Sequence, residues 1–227
     1  MTTVRERGVE EGSKTVKSEV REEGGGVGRR RMLGLGTWRN DDPEACAEAV
    51  ATALDAGYRH VDTAQAYGNE AHVGRGIERA DVPREDVFLA TKVWIDRLAY
   101  DDVLASVEES LRKLGVDAVD LLYVHWPAGE YDPAGTLRAF DELVDAGTAD
   151  RVGVSNFEPE QVDAAIDRSD APIFPNQVEV HPLLPPTEPR AHCADRGVAV
   201  VAYSPPACGA AFAVAAMTYG AATPGGS

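Results

Sequence analysis

The chain has 227 residues, with 22 Lys and Arg against 38 Asp and Glu and a formal net charge of −16. That length suffices for one domain with a large core but is short of the ~250 residues of a complete eight-stranded α/β barrel. So acidic a chain repels phosphate backbones and anionic lipid, which argues against nucleic-acid and membrane partners. The charge is uneven, because residues 1–31 hold eight of the basic and six of the acidic residues. Four lysines stand against 18 arginines. An acidic, Lys-poor surface suits a protein kept soluble in concentrated salt, where screening removes most self-repulsion. A halophilic setting is the preferred reading, with an ordinary acidic cytosolic protein as the alternative. Cys46, Cys193 and Cys208 form no CxxC pair, so neither a disulfide framework nor a zinc site is expected, and no metal is. With no secretory apolar core and no run long enough to span a bilayer, a cytoplasmic location is expected.

In chain order, residues 1–31 are charged and Gly-rich without an apolar period and read as a disordered leader, with Met32 a candidate native start. From there short apolar runs alternate with amphipathic stretches. Strands are expected at 32–37, 59–63, 87–93, 119–125, 151–155, 174–180 and 198–203. Helices are expected at 43–56, 69–79, 101–114, 134–146, 158–167 and 187–196. Asp42-Pro43 offers an N-cap and a first-turn proline, and Gly57, Gly115, Gly147 and Gly197 stand where helices stop. Apolar strands alternating with helices mean βα units and a parallel sheet. The first strand leads into GLGTWRND, which lacks the GxGxxG turn of a doubly wound nucleotide fold, so a barrel is preferred to an open sheet. Residues 206–227 contain no charged residue and show neither an eighth strand nor a closing helix.

A parallel barrel carries its active site at the C-terminal ends of its strands. Those positions hold Asp62, with Tyr67 in the loop beyond, then Lys92, His125, Ser155 and Asn156, Gln177, and Tyr203 and Ser204, while Trp38, Trp94 and Trp126 stand at the same rim. Each has an ordinary explanation when taken singly: a turn aspartate, a rim tyrosine, a satisfied histidine. Lys92 is harder to dismiss, being one of two lysines after the leader. A phenol is a poor proton donor at its usual pKa of ~10, and an adjacent ammonium lowers that value. A carboxylate holds the ammonium, and an imidazole can orient a carbonyl. Together they describe a general acid for carbonyl reduction.

The segments HVDTAQAYGNE (60–70), TKVW (91–94), VHWP (124–127), GVSNF (153–157), NQVEVHP (176–182) and AYSP (202–205) resemble, in order and spacing, those of aldo-keto reductases. The resemblance covers about 32–205 and implies an NADPH-dependent carbonyl reductase on a TIM-type (β/α)₈ barrel, with about seven strands recognisable. It implies a catalytic set of Asp62, Tyr67, Lys92 and His125. Ser155, Asn156 and Gln177 would hold the nicotinamide carboxamide and Tyr203 would stack on its ring. Thr37 and Asp62 would line the ribose side, Ser204 would touch the pyrophosphate, and Trp38, Trp94 and Trp126 would wall the pocket for a small carbonyl substrate. The short loop AGEYDPAGT resembles that of bacterial and archaeal small-carbonyl reductases.

After Pro205 the resemblance stops, and a truncation or frameshift there is the expected cause. The adenine-binding half of the site is then missing, so preference for NADP over NAD rests on the resemblance alone. The family is usually monomeric, whereas this chain is expected to self-associate through open sheet edges. A non-catalytic fragment or regulatory module is the second reading. An aldolase using Lys92 as a Schiff base is the third, opposed by Tyr67 and by the three carboxamide-binding residues.

Overall fold

The computed structural model describes residues 33–181 and 187–204. The leader, Met32 and the uncharged tail 206–227 lie outside the described residues. Seven strands alternate with six helices: β1 (Leu35–Gly36), α1 (Pro43–Asp55), β2 (His60–Asp62), α2 (Glu70–Arg79), β3 (Phe88–Val93), α3 (Tyr100–Leu114), β4 (Leu121–Val124), α4 (Pro133–Asp145), β5 (Val152–Ser155), α5 (Pro159–Arg168), β6 (Ile173–Glu179), α6 (Thr187–Asp195) and β7 (Ala199–Tyr203). Every helix lies within a residue or two of its expected span, and several have ends that are marked locally. Asp42 accepts from the backbone N–H of Glu44 and Ala45 ahead of Pro43, which satisfies donors that the first turn leaves open. The backbone turns left-handed at Gly115, with φ 71°, and α3 ends there.

All strands pair in parallel and in sequence order, β1 through β7, forming a nearly closed, incomplete TIM-type barrel. A doubly wound sheet would reverse its strand order at a switch point, and this one never does. Consecutive helices pack on one another around the outside, α1 on α2 through α5 on α6. The sheet's outward residues, among them Leu89, Val93, Leu122, Val124, Val152 and Val154, share one large core with them. Strand pleating puts Ala90, Leu121 and Tyr123 on the opposite face, in a smaller cluster with Phe88 and Phe174. Gly153 lets the Tyr123 ring lie flat there, since a Cβ at 153 would stand 2.6 Å from two of its ring carbons.

The first strand is shorter than its apolar pattern MLGLGT suggests. Within 33–37 only Leu35 and Gly36 pair, with Val61 and Asp62. Among the described residues β1 does not pair with β7, and β7 is only half buried where β4 and β5 are buried throughout.

Candidate active site

The strand ends converge on one ammonium. Lys92, the fifth of six residues in β3, is 0% exposed. Its Nζ donates to Asp62 Oδ1 in a short ion pair, to the Thr63 carbonyl at 3.0 Å and to the Tyr67 hydroxyl at 3.5 Å. Asp62 ends β2 and is held on its other side, its Oδ2 accepting from Gln177 Nε2 at 2.7 Å. Tyr67 closes a three-residue 3₁₀ turn, Gln65–Tyr67, just beyond β2. His125 follows β4, is 8% exposed, and meets the Tyr67 ring edge-on at 5.7 Å and the Trp94 ring at 4.9 Å. The four residues that sequence reasoning selected as an acid–base set therefore stand together.

Burial sets their protonation. It pushes the His125 imidazole down to about 4, with the nearby Lys92 charge acting in the same direction. The ring is then neutral at neutral pH and can donate or accept a hydrogen bond. The Tyr67 phenol departs from the sequence expectation, because its pKa is raised above the usual value. Burial is the largest cause and the Asp62 charge adds to it, together outweighing the downward pull of Lys92. The phenol thus stays protonated through neutral pH, which is the form a proton donor needs. Because the ammonium donates to its oxygen, the phenol keeps its own hydrogen to donate.

A second group lies along β5, β6 and β7. Ser155 Oγ donates to the Gln177 carbonyl at 2.9 Å, and Asn156 Nδ2 donates to the His125 carbonyl at 3.1 Å and to Ser155 Oγ at 3.0 Å. The Tyr203 hydroxyl donates to Asn156 Oδ1 at 3.0 Å, so its ring is tethered to the same cluster. Asn156 and Ser204 both hold left-handed backbone, at φ 63° and 53°, a strain that clusters at ligand clamps. Thr37 is buried beneath the β1–β2 rim and donates to Thr63 Oγ1 at 3.0 Å. Of the tryptophans, Trp94 lies against His125, whereas Trp38 and Trp126 are 54% and 41% exposed.

Sequence reasoning missed Thr63 and Asn69. Thr63 Oγ1 donates to Asn69 Oδ1 at 3.1 Å and Asn69 Nδ2 donates to the Thr37 carbonyl at 2.8 Å, which pins the first two strand ends together. The density of polar residues in DTAQAYGNE was the available signal. Among the described residues no group of three or more His, Cys, Asp or Glu could hold a metal ion, and no helix is long and apolar enough to cross a membrane.

The Aldo/keto reductase family pattern matches residues 32–215. An aldo-keto reductase of Mycolicibacterium smegmatis is 46% identical over 77% of this chain and 63% of that protein. A 9,11-endoperoxide prostaglandin H2 reductase of Trypanosoma cruzi is 41% identical over 78% of this chain and 62% of its own length. A crystal structure of a Bombyx mori aldo-keto reductase in complex with NADP superposes with a TM-score of 0.74 at 36% identity, covering 78% of this chain and 63% of that one. The chain thus spans a little under two thirds of the length of these relatives.

Proposed function

The chain belongs to the aldo/keto reductase family, and from that premise we propose that it reduces aldehydes or ketones to alcohols, taking hydride from NADPH. The observation that carries this reading is the reach of one buried ammonium to both Asp62 and the Tyr67 hydroxyl, beside a neutral His125. Tyr67 would give the proton to the carbonyl oxygen, and the neutral His125 would hold that oxygen by a hydrogen bond. Lys92 would stabilise the phenolate left behind, and Asp62 would keep the ammonium in place. A small carbonyl compound would enter between Trp38, Trp94 and Trp126.

The residues on β5–β7 fit a nicotinamide. Their donors and acceptors are amides and hydroxyls, which suit a neutral carboxamide, and the tethered Tyr203 ring offers a stacking face. Ser155, Asn156 and Gln177 would hold the carboxamide, Thr37 and Asp62 would border the ribose, and Ser204 would meet the pyrophosphate. A nicotinamide held there would supply the hydride. Preference for NADPH is supported by the NADP complex of the Bombyx mori relative. A salt-rich setting belongs to the same reading and is supported by the charge of −16 and the scarcity of lysine, and a cytoplasmic location is proposed with it. Self-association through β1 and β7 belongs to it too, supported by their lack of pairing with each other among the described residues.

The test is the Tyr67→Phe variant. It should lower kcat for carbonyl reduction by roughly 10²–10⁴-fold while NADPH still quenches the protein's fluorescence at the same concentration. A variant as active as the parent would remove Tyr67 from the reaction.

A further inference from the structure

The turn that delivers Tyr67 is anchored from behind by a side chain to which the proposed reaction gives no part. Gln65 opens that turn, and its amide nitrogen donates to Ser110 Oγ at 3.1 Å and to the Ser106 carbonyl at 3.2 Å, both on α3. Its amide oxygen accepts from the backbone N–H of Trp94 at 3.0 Å, just past β3. Ser110 in turn donates to Glu70 Oε2 at 3.2 Å, and Thr91 donates to Glu70 Oε1 at 2.7 Å. Glu70 is 2% exposed, so both hydroxyls serve a carboxyl that has left water. Thr91 directly precedes Lys92, and Trp94 packs on His125. One hydrogen-bonded network therefore meets the turn of Tyr67, the strand of Lys92 and the aromatic neighbour of His125.

Within the turn the other polar anchors are its own backbone bonds, Tyr67 N–H to the Ala64 carbonyl and Gly68 N–H to the Gln65 carbonyl, both at 3.1 Å. A single 3₁₀ turn has poor hydrogen-bond geometry of its own. Ala64 ahead of it provides no side-chain cap, and Ala66 within it is exposed. The Tyr67 hydroxyl meets Lys92 at 3.5 Å, the outer limit of a hydrogen bond, so a small rotation of the turn would break the contact. A satisfied buried network is the kind of support that resists such rotation.

We infer that Gln65 is a positioning residue: it clamps the Tyr67 turn to the end of β3 and to α3, so that the phenol reaches Lys92 and Trp94 stays against His125. The inference rests on the proposed role of Tyr67 as proton donor. The test is a double-mutant cycle of Gln65→Met, which keeps side-chain length and removes both polar ends, with Tyr67→Phe. Gln65→Met alone should lower kcat by about 10²-fold with NADPH binding unchanged, because misplacing a reacting group by about 1 Å costs that much. The basic limb of its pH profile should move upward, since Lys92 is the group that lowers the phenol. In the Tyr67→Phe background the same substitution should cost nothing more, because the two residues act through one group. Ser110→Ala keeps the Trp94 bond and should show the same pattern with a smaller loss, which provides the cycle if Gln65→Met does not fold. An undiminished further loss in the Tyr67→Phe background, or an unchanged kcat in Gln65→Met, overturns the inference while leaving Tyr67 as donor. A fully active Tyr67→Phe overturns both.

Discussion

His125 should make the protein acid-sensitive in a way that one substitution removes. Its imidazole has an ordinary value of 6.5 when solvated and is pushed down to about 4 in the folded chain, first by burial and then by Lys92. Between those values the unfolded chain binds a proton that the folded chain refuses, so stability rises with pH across the window and is lost as pH falls from 6.5 towards 4. At about 1.4 kcal/mol for each tenfold change in proton affinity, the fall from 6.5 to about 4 sets a ceiling of about 3 kcal/mol between neutral pH and pH ~4. That is a large part of the ~5–15 kcal/mol that holds a typical domain together. His125→Gln keeps a hydrogen-bond donor of similar reach and cannot titrate. His60, which burial also lowers, and Glu70, which burial raises, titrate in both proteins and cancel in the difference. Urea unfolding of parent and variant should therefore show curves that diverge below pH ~6, with the variant losing up to about 3 kcal/mol less by pH ~4. Parallel curves would mean that the ring takes up its proton in the folded state as easily as in water. The neutral imidazole proposed to hold the substrate carbonyl would then be wrong.

Two further outcomes follow from the packing. Lys92→Met should destabilise the fold by about 3–5 kcal/mol in urea melts, because it leaves the Asp62 charge behind, and adding Asp62→Asn should recover part of that loss. Gly153→Ala puts a Cβ 2.6 Å from Tyr123 ring carbons and 3.0 Å from Pro175, and should cost about 1–3 kcal/mol, of which Tyr123→Leu recovers a measurable share.

What could be read from the sequence was what local chemistry decides. Asp42-Pro43 starts a helix wherever it stands, and Gly115 can stop one by adopting a backbone that other residues avoid. The unbroken apolar runs in β4 and β5 announce strands buried on both faces, and the ends of such strands locate the site. What could not be read depends on distances. The direction of the Tyr67 shift is a contest between burial and two opposite charges, and only the fold says that burial leads. Gln65 looks like any loop amide until α3 brings Ser110 beside it, 45 positions along the chain. The shortness of β1 is likewise invisible in MLGLGT, because pairing with β2 and not apolar character decides how much of it is strand.

Lys92 joins the two kinds of evidence. A chain with 18 arginines and four lysines has a lysine at the most buried charged position among the described residues. The slot explains the choice. Three acceptors surround the nitrogen: the Asp62 carboxylate, the Thr63 carbonyl and the Tyr67 hydroxyl. An ammonium has three N–H donors radiating from one atom and satisfies all three at once. A guanidinium spreads five donors over a rigid plane and would leave some of them unpaired at a position as buried as this one. The same compactness concentrates the charge next to the phenol oxygen, where the phenolate of the proposed reaction would form. The lysine that stands out in an arginine-rich sequence is thus the one whose surroundings in the fold suit a point charge at the end of β3.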